Sequence, residues 1–153
     1  MNKVKFTFLD KRSVDKDIKK YIKLLRSFIR YIFNKEKINF YKIDYIFCNN
    51  RDIINLNSVF FKKNKITDVI SIHYFYKKLI VGEVYICLEE SHINSLYNSV
   101  DYKYEILRNI VHGTLHVIGY LDSTIIEKKI MHGKQKYYIL KYILKYFNKN
   151  NNF

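Results

Sequence analysis

The sequence predicts a mixed α/β (α+β) fold. Four short apolar runs bounded by polar turns read as strands, and five stretches carry apolar residues at helical spacing. No repeat, low-complexity segment or Gly/Pro-rich linker separates them, with only 4 Gly and 0 Pro in the chain. At 153 residues and 48% hydrophobic side chains, residues 1–153 suit one domain with enough apolar surface for a core.

Val4, Phe6 and Phe8 alternate with Lys3, Lys5 and Thr7, the period of a first strand. Ile18, Tyr21, Ile22, Leu25, Phe28, Ile29, Ile32 and Phe33 follow as a helical stripe. The other face of that helix carries Lys16, Lys19, Lys20, Lys23, Arg26 and Arg30 and reads as solvated surface. Ile43, Tyr45 and Phe47 alternate as a second strand. A short helix is expected near Asp52–Phe60, capped by Asn49 or Asn50, whose side-chain oxygen can accept from first-turn N–H groups. Val69–Tyr74 and Val81–Leu88 read as two strands joined through the polar Lys77-Lys78 turn. Helices are expected near Ser91–Tyr97 and at Glu105–Ile118. A last helix spans Ser123–Phe147, with Ile126, Ile130, Tyr137 and Leu140 among its apolar positions, and Asn148–Phe153 forms a frayed tail.

The helix Glu105–Ile118 holds the most informative residues. His112 and His116 stand four apart, so their imidazoles project from one face about one turn from each other. Both rings can then reach a single ion at about 2.0–2.1 Å. Ile106, Leu107, Ile110, Val111, Leu115 and Ile118 fill the opposite half-cylinder, while Glu105 and Asn109 lie below the histidines. Gly119 can end the helix in a left-handed conformation and return Asp122 as a third, oxygen ligand. Three protein ligands leave a position open for water, the pattern of a catalytic zinc site. The competing role for Asp122 is to begin the next helix, where Thr124 and Glu127 already form a capping-box pattern. His132 is the fallback ligand. The peptidase pattern His-Glu-x-x-His is absent, because Gly113 occupies the position of the basic glutamate.

These residues resemble a known family. His112-Gly113-Thr114-Leu115-His116-Val117-Ile118-Gly119-Tyr120 is similar to the HGxLHLxGY signature of the YbeY-type rRNA maturation endoribonucleases. Upstream, Leu56-Asn57, Thr67-Asp68-Val69-Ile70-Ser71 and Gly82-Glu83-Val84-Tyr85-Ile86 resemble further family segments, in the family's order. Two positions depart from the pattern. Asp122 stands where the third ligand is usually histidine, and Phe61 where many members carry an arginine.

The resemblance implies a four-stranded mixed sheet packed with helices, with the metal helix lining a cleft. It implies a zinc-dependent endoribonuclease of single-strand type, serving ribosomal RNA maturation and ribosome quality control. One zinc per chain would sit on His112, His116 and Asp122. Either water or the ribose 2′-hydroxyl would attack phosphorus. Lys62 and Lys63 stand beside the missing arginine and are the expected RNA-backbone contacts, with a possible catalytic share; Glu105 is the candidate general base. Thr67, Asp68 and Ser71 are expected at a strand entrance near the metal, whereas His73 and His92 have no supporting spacing.

Composition fits but does not decide. A net charge of +14 suits a polyanionic partner, here precursor small-subunit rRNA with ribosomal proteins as further contacts. The bias to Lys, Asn, Ile, Tyr and Phe is also what AT-rich codons produce, so the charge alone does not establish RNA binding. No run approaches the roughly 20 apolar residues of a membrane span, and Met1-Asn2-Lys3-Val4-Lys5 is not a signal peptide. Cys48 and Cys87 lack paired spacing and are expected as buried thiols. A cytoplasmic protein without membrane partner or small-molecule organic cofactor follows. Two other readings stay open: an RNA-binding assembly factor with a structural metal, and a zinc peptidase.

Overall fold

A computed structural model of the chain describes residues 2–10 and 16–147. In chain order it contains β1 (Lys3–Phe8), α1 (Lys16–Lys35), β2 (Phe40–Cys48), α2 (Asn50–Phe61), β3 (Val69–Tyr76), β4 (Leu79–Cys87), α3 (Leu88–Tyr97), α4 (Tyr102–Ile118) and α5 (Ile125–Tyr142). A π-helical turn, Ile143–Phe147, extends α5. The tail expected to fray, Asn148–Phe153, lies outside the described residues.

The strands form one mixed sheet in the order β1-β2-β4-β3. β1, β2 and β4 run parallel, and β3 pairs antiparallel with β4 at the edge. From Ile43 to Cys48 the central strand β2 is buried along both faces, which is why that stretch is apolar apart from Asp44. The β3–β4 turn is two residues long, with both Lys77 (φ 47°) and Lys78 (φ 64°) left-handed. That backbone twist matches the flanking strands, although two lysines replace the usual Asn-Gly.

One core lies between the sheet, α1 and α4. Phe28, Ile29, Ile32 and Phe33 of α1 meet Ile110, Val111 and Leu115 of α4 over Ile43, Tyr45 and Val84 of the strands. A smaller cluster on the opposite sheet face joins Ile53 of α2 to Cys48, Ile70 and Cys87. Both thiols are free and buried there, and burial pushes both up from the ordinary cysteine value.

Several boundaries differ from the sequence expectation. α2 is capped by Asn49, whose side chain and that of Asp52 close a reciprocal capping box. α3 starts at Leu88 and α4 at Tyr102, where Asp101 accepts from Lys103 N. The inward face of α5 is Met131, Gln135, Tyr138, Ile139 and Tyr142. Ile126, Ile130, Tyr137 and Leu140 point outward instead, because both faces of α5 are apolar enough to satisfy the period and packing selects one.

Candidate metal centre

α4 positions the site because it is enclosed on nearly all sides. Gly113 faces the sheet, and a Cβ there would overlap the Val84 side chain, so only glycine allows this approach. Ser71 Oγ donates to Gly113 O at 3.1 Å, tying β3 to the same turn. Tyr45 and Thr114 share a 2.5 Å hydrogen bond beneath the helix. The sequence suggested two half-cylinders, one apolar and one open. In the structure Glu105, Asn109, Gly113 and Thr114 are also buried, and between Glu105 and Val117 solvent reaches only a row of i, i+4, i+8 residues: Arg108, His112 and His116.

His112 Nε2 and His116 Nε2 lie 3.0 Å apart. Asp122 Oδ2 completes a triangle, 3.2 Å from His116 Nε2 and 3.6 Å from His112 Nε2. A tetrahedral zinc ion with 2.0–2.1 Å bonds needs ligand atoms about 3.3–3.4 Å apart. Two imidazole nitrogens and one carboxylate oxygen at these separations fit that ion. The turn makes this possible: Gly119 takes φ 118°, and its N–H bonds to Leu115 O and His116 O. Thr124, not Asp122, caps α5 through its bond with Glu127 N. Asp122 is therefore left to face the imidazoles.

Both rings are held from behind. His116 Nδ1 lies 2.9 Å from Tyr120 O, so its N–H donates there and Nε2 keeps its lone pair. The Gln135 carboxamide meets His112 Nδ1 through its Nε2; turned over, its oxygen would accept that ring's N–H instead. Burial, then the neighbouring His116 ring, lowers the His112 pKa to about 4, so this imidazole is neutral at physiological pH.

Glu36, just after α1, buttresses the turn. Its Oε2 accepts from Tyr120 OH at 2.7 Å and its Oε1 from Lys134 Nζ at 2.8 Å, with Tyr138 OH also donating. Burial pushes its carboxyl up, but these three donors outweigh it and hold the pKa below the usual range.

The structure places Glu105, the candidate general base, against Arg108. Glu105 is buried, and its Oε1 accepts from Arg108 Nε at 3.1 Å and Nη2 at 2.5 Å. It is the ion-pair partner of Arg108 rather than a base open to substrate. Asp68 joins them, with Oδ2 3.0 Å from Arg108 Nη2. Burial opposes the charge on Arg108, but Glu105 and Asp68 outweigh it and raise its pKa. Lys62 and Lys63 are exposed after α2, with Lys62 in a left-handed C-cap. Among the described residues, one group of three or more metal-binding side chains converges, and it excludes His132, which is exposed on α5. His73 and His92 are likewise exposed and apart from that group.

Sequence reasoning missed Arg108, Gln135 and Glu36. Arg108 was visible as the next member of the four-residue ladder below His112. Gln135 and Glu36 come from other helices, and nothing in their local spacing marks them.

The family model described as Endoribonuclease YbeY matches residues 7–143. This chain belongs to that family. The endoribonuclease YbeY of Amoebophilus asiaticus is 29% identical over 119 residues, covering 77% of this chain and 81% of the relative. That of Karelsulcia muelleri is 33% identical over 111 residues, covering 72% and 79%. In fold, the chain is similar to the solution structure of TM1509 from Thermotoga maritima. The TM-score is 0.66 at 23% identity, over 96% of this chain and 93% of that one. The family match spans His112, His116 and Asp122, so the whole triangle lies within the YbeY domain.

Proposed function

We propose that this chain is a zinc-dependent endoribonuclease that hydrolyses single-stranded segments of precursor small-subunit rRNA in the cytoplasm, in rRNA maturation and ribosome quality control. The observation that carries this is the convergence of His112 Nε2, His116 Nε2 and Asp122 Oδ2 in a member of an endoribonuclease family. When bound, the ion supplies Lewis acidity that acidifies water and offsets charge on phosphoryl oxygens. His112 and His116 bring neutral donors, and Asp122 brings one negative charge. Gln135 and the Tyr120 carbonyl keep both rings from rotating out of position. Arg108, one turn below His112, is held by Glu105 and Asp68, which offset its charge; its remaining guanidinium N–H groups would donate to a phosphate beside the site. Lys62 and Lys63 contact the RNA backbone as mobile point charges. Ribosomal proteins would contact the same complex.

Three protein ligands favour a catalytic over a structural metal. Gly113 faces the sheet, so no side chain there could serve as a peptidase base. No helix among the described residues is long and apolar enough to cross a membrane. The test is zinc content of the purified protein together with cleavage of a structured rRNA fragment. One zinc with cleavage, both lost in His112→Ala, is the expected result. Zinc retained with RNA affinity but no cleavage would replace the nuclease by a binding factor, and cleavage of peptide but not RNA would overturn both.

A further inference from the structure

We infer that the sheet face turned away from α4, at the end formed by the β3–β4 hairpin, is a binding site for unpaired bases of single-stranded RNA. The inference deepens the RNA reading of the metal centre and rests on it.

Register decides which side chains share this face. Gly82 lies under Val117 of α4 and pairs with Ile43 and His73, so that row faces the helix. The next row, Lys3–Lys42–Val81–Tyr74, must face the other way, because successive residues of a strand alternate. α2 covers this second face only further along, over Cys48, Ile70 and Cys87. What remains is open, with Tyr74 59% and Tyr76 46% exposed.

Tyr41, Tyr74 and Tyr76 line a cavity of about 200 Å³ whose other walls include Lys42, Val81 and Glu83. This is smaller than the roughly 300–1,000 Å³ that encloses a drug-sized ligand, and suits one planar ring. The Tyr41 and Tyr76 rings stand 5.4 Å apart at 51°, a splayed pair rather than a closed stack. Lys77 Nζ lies 5.5 Å from the Tyr76 ring centre, at the rim. Aromatic rings on an open sheet are how many RNA-binding domains hold bases, since every base has a face to stack.

Charge supports RNA over an apolar partner. Lys3 and Lys42 continue the tyrosine row across the sheet, and Lys5 lies in the adjoining row; Lys5 and Lys42 share the Asp44 carboxylate at 3.5 and 3.8 Å, which leaves a positive excess where phosphates of a bound strand would pass. Glu83 stands in the slot itself, where a carboxylate can accept from base N–H groups. Its Oε2 is oriented by Tyr85 OH at 2.7 Å. The metal-bearing helix α4 is tied to the same edge strand. Ser71, bonded to Gly113 beside His112, precedes Tyr74 by three residues on the edge strand, about 10 Å at strand rise. A single strand crossing the β3 edge would meet both.

The test measures binding of a 2′-O-methyl oligouridylate of about twelve nucleotides, within the span of known single-strand sites. The full-length zinc-loaded protein is compared with Tyr74→Ala/Tyr76→Ala and Tyr74→Phe/Tyr76→Phe. The alanine pair should weaken binding about tenfold or more, and the phenylalanine pair should restore it, because stacking needs the ring and not the hydroxyl. Affinity for duplex RNA, whose bases are already stacked, should not change. Zinc content and melting temperature should match the parent, since both side chains are exposed. If the alanine pair binds the single strand within twofold of the parent, or loses duplex and single strand equally, the site is overturned. Tyrosine-dependent binding of this oligonucleotide, with no cleavage of an unmodified rRNA fragment by the parent, would support this site while removing the nuclease reading. Cleavage with tyrosine-independent binding would do the reverse.

Discussion

The backbone carbonyl of Tyr120 lies 2.9 Å from His116 Nδ1, so the turn that ends α4 also sets the tautomer of its last histidine. The Tyr120 ring is in turn held by Glu36 through a 2.7 Å hydrogen bond. The metal face of α4 is thus oriented by residues from the end of α1 and from α5, none of which would touch the ion.

Gln135→Leu should weaken zinc binding about 10–100-fold, the usual cost of losing the partner behind a ligating imidazole. His112 would keep its Nε2 but lose the group that fixes its ring. Competition with a chromophoric chelator reads this directly. An affinity equal to the parent would mean that packing alone orients His112.

Asp122→Ala should lose zinc far more readily than the parent, whereas Asp122→His should retain it, because imidazole is also a good zinc donor at this position. His132→Ala should leave the metal content alone, since that side chain is exposed and outside the triangle. Metal analysis after dialysis against chelator separates the three variants.

The metal-free protein should lose stability on acidification in a defined window. His112 has an ordinary value of 6.5 and a folded value of about 4. Between them the unfolded chain binds more protons, so stability rises with pH, is fully present above about 6.5, and is lost as pH falls towards 4. The shift corresponds to about 3 kcal/mol as an order of magnitude. Glu36 acts in the same direction lower down: its carboxyl is depressed below 4.5, so its contribution disappears at more acid pH still. Urea midpoints of His112→Gln, measured with chelator present, should be flatter than the parent between pH 6.5 and 4. Parallel curves would show that another group carries the dependence.

RNA affinity should fall steeply with salt, at about −0.7 in log K per log salt for each phosphate neutralised on a single strand. Lys62→Ala/Lys63→Ala should reduce that slope without changing zinc content, since both side chains stand on the α2–β3 connection and not in the triangle. An unchanged slope would remove these two lysines from the interface.

Gly113→Ala should destabilise the fold by about 1–3 kcal/mol, the range for adding a methyl to a packed core. The new Cβ would press on Val84 and push α4 away from β4. Thermal unfolding checks this, and a neutral result would show that Val84 can rotate clear.

Much of the site was legible in sequence because its chemistry is local. His112, His116, Gly119 and Asp122 lie within one helix and its turn, where spacing translates directly into direction. The strands and most helices were legible for the same reason, since period depends on neighbours a few residues away. Tertiary structure alone decided what faces what. It enclosed Glu105 and joined it to Arg108, left Ile126 and Ile130 outside, and brought Glu36 and Gln135 behind the metal face. It also set the register that aligns Lys3, Lys42 and Tyr74 in one row. A periodic pattern states which residues share a side, whereas the burial of that side depends on long-range packing that no local window contains.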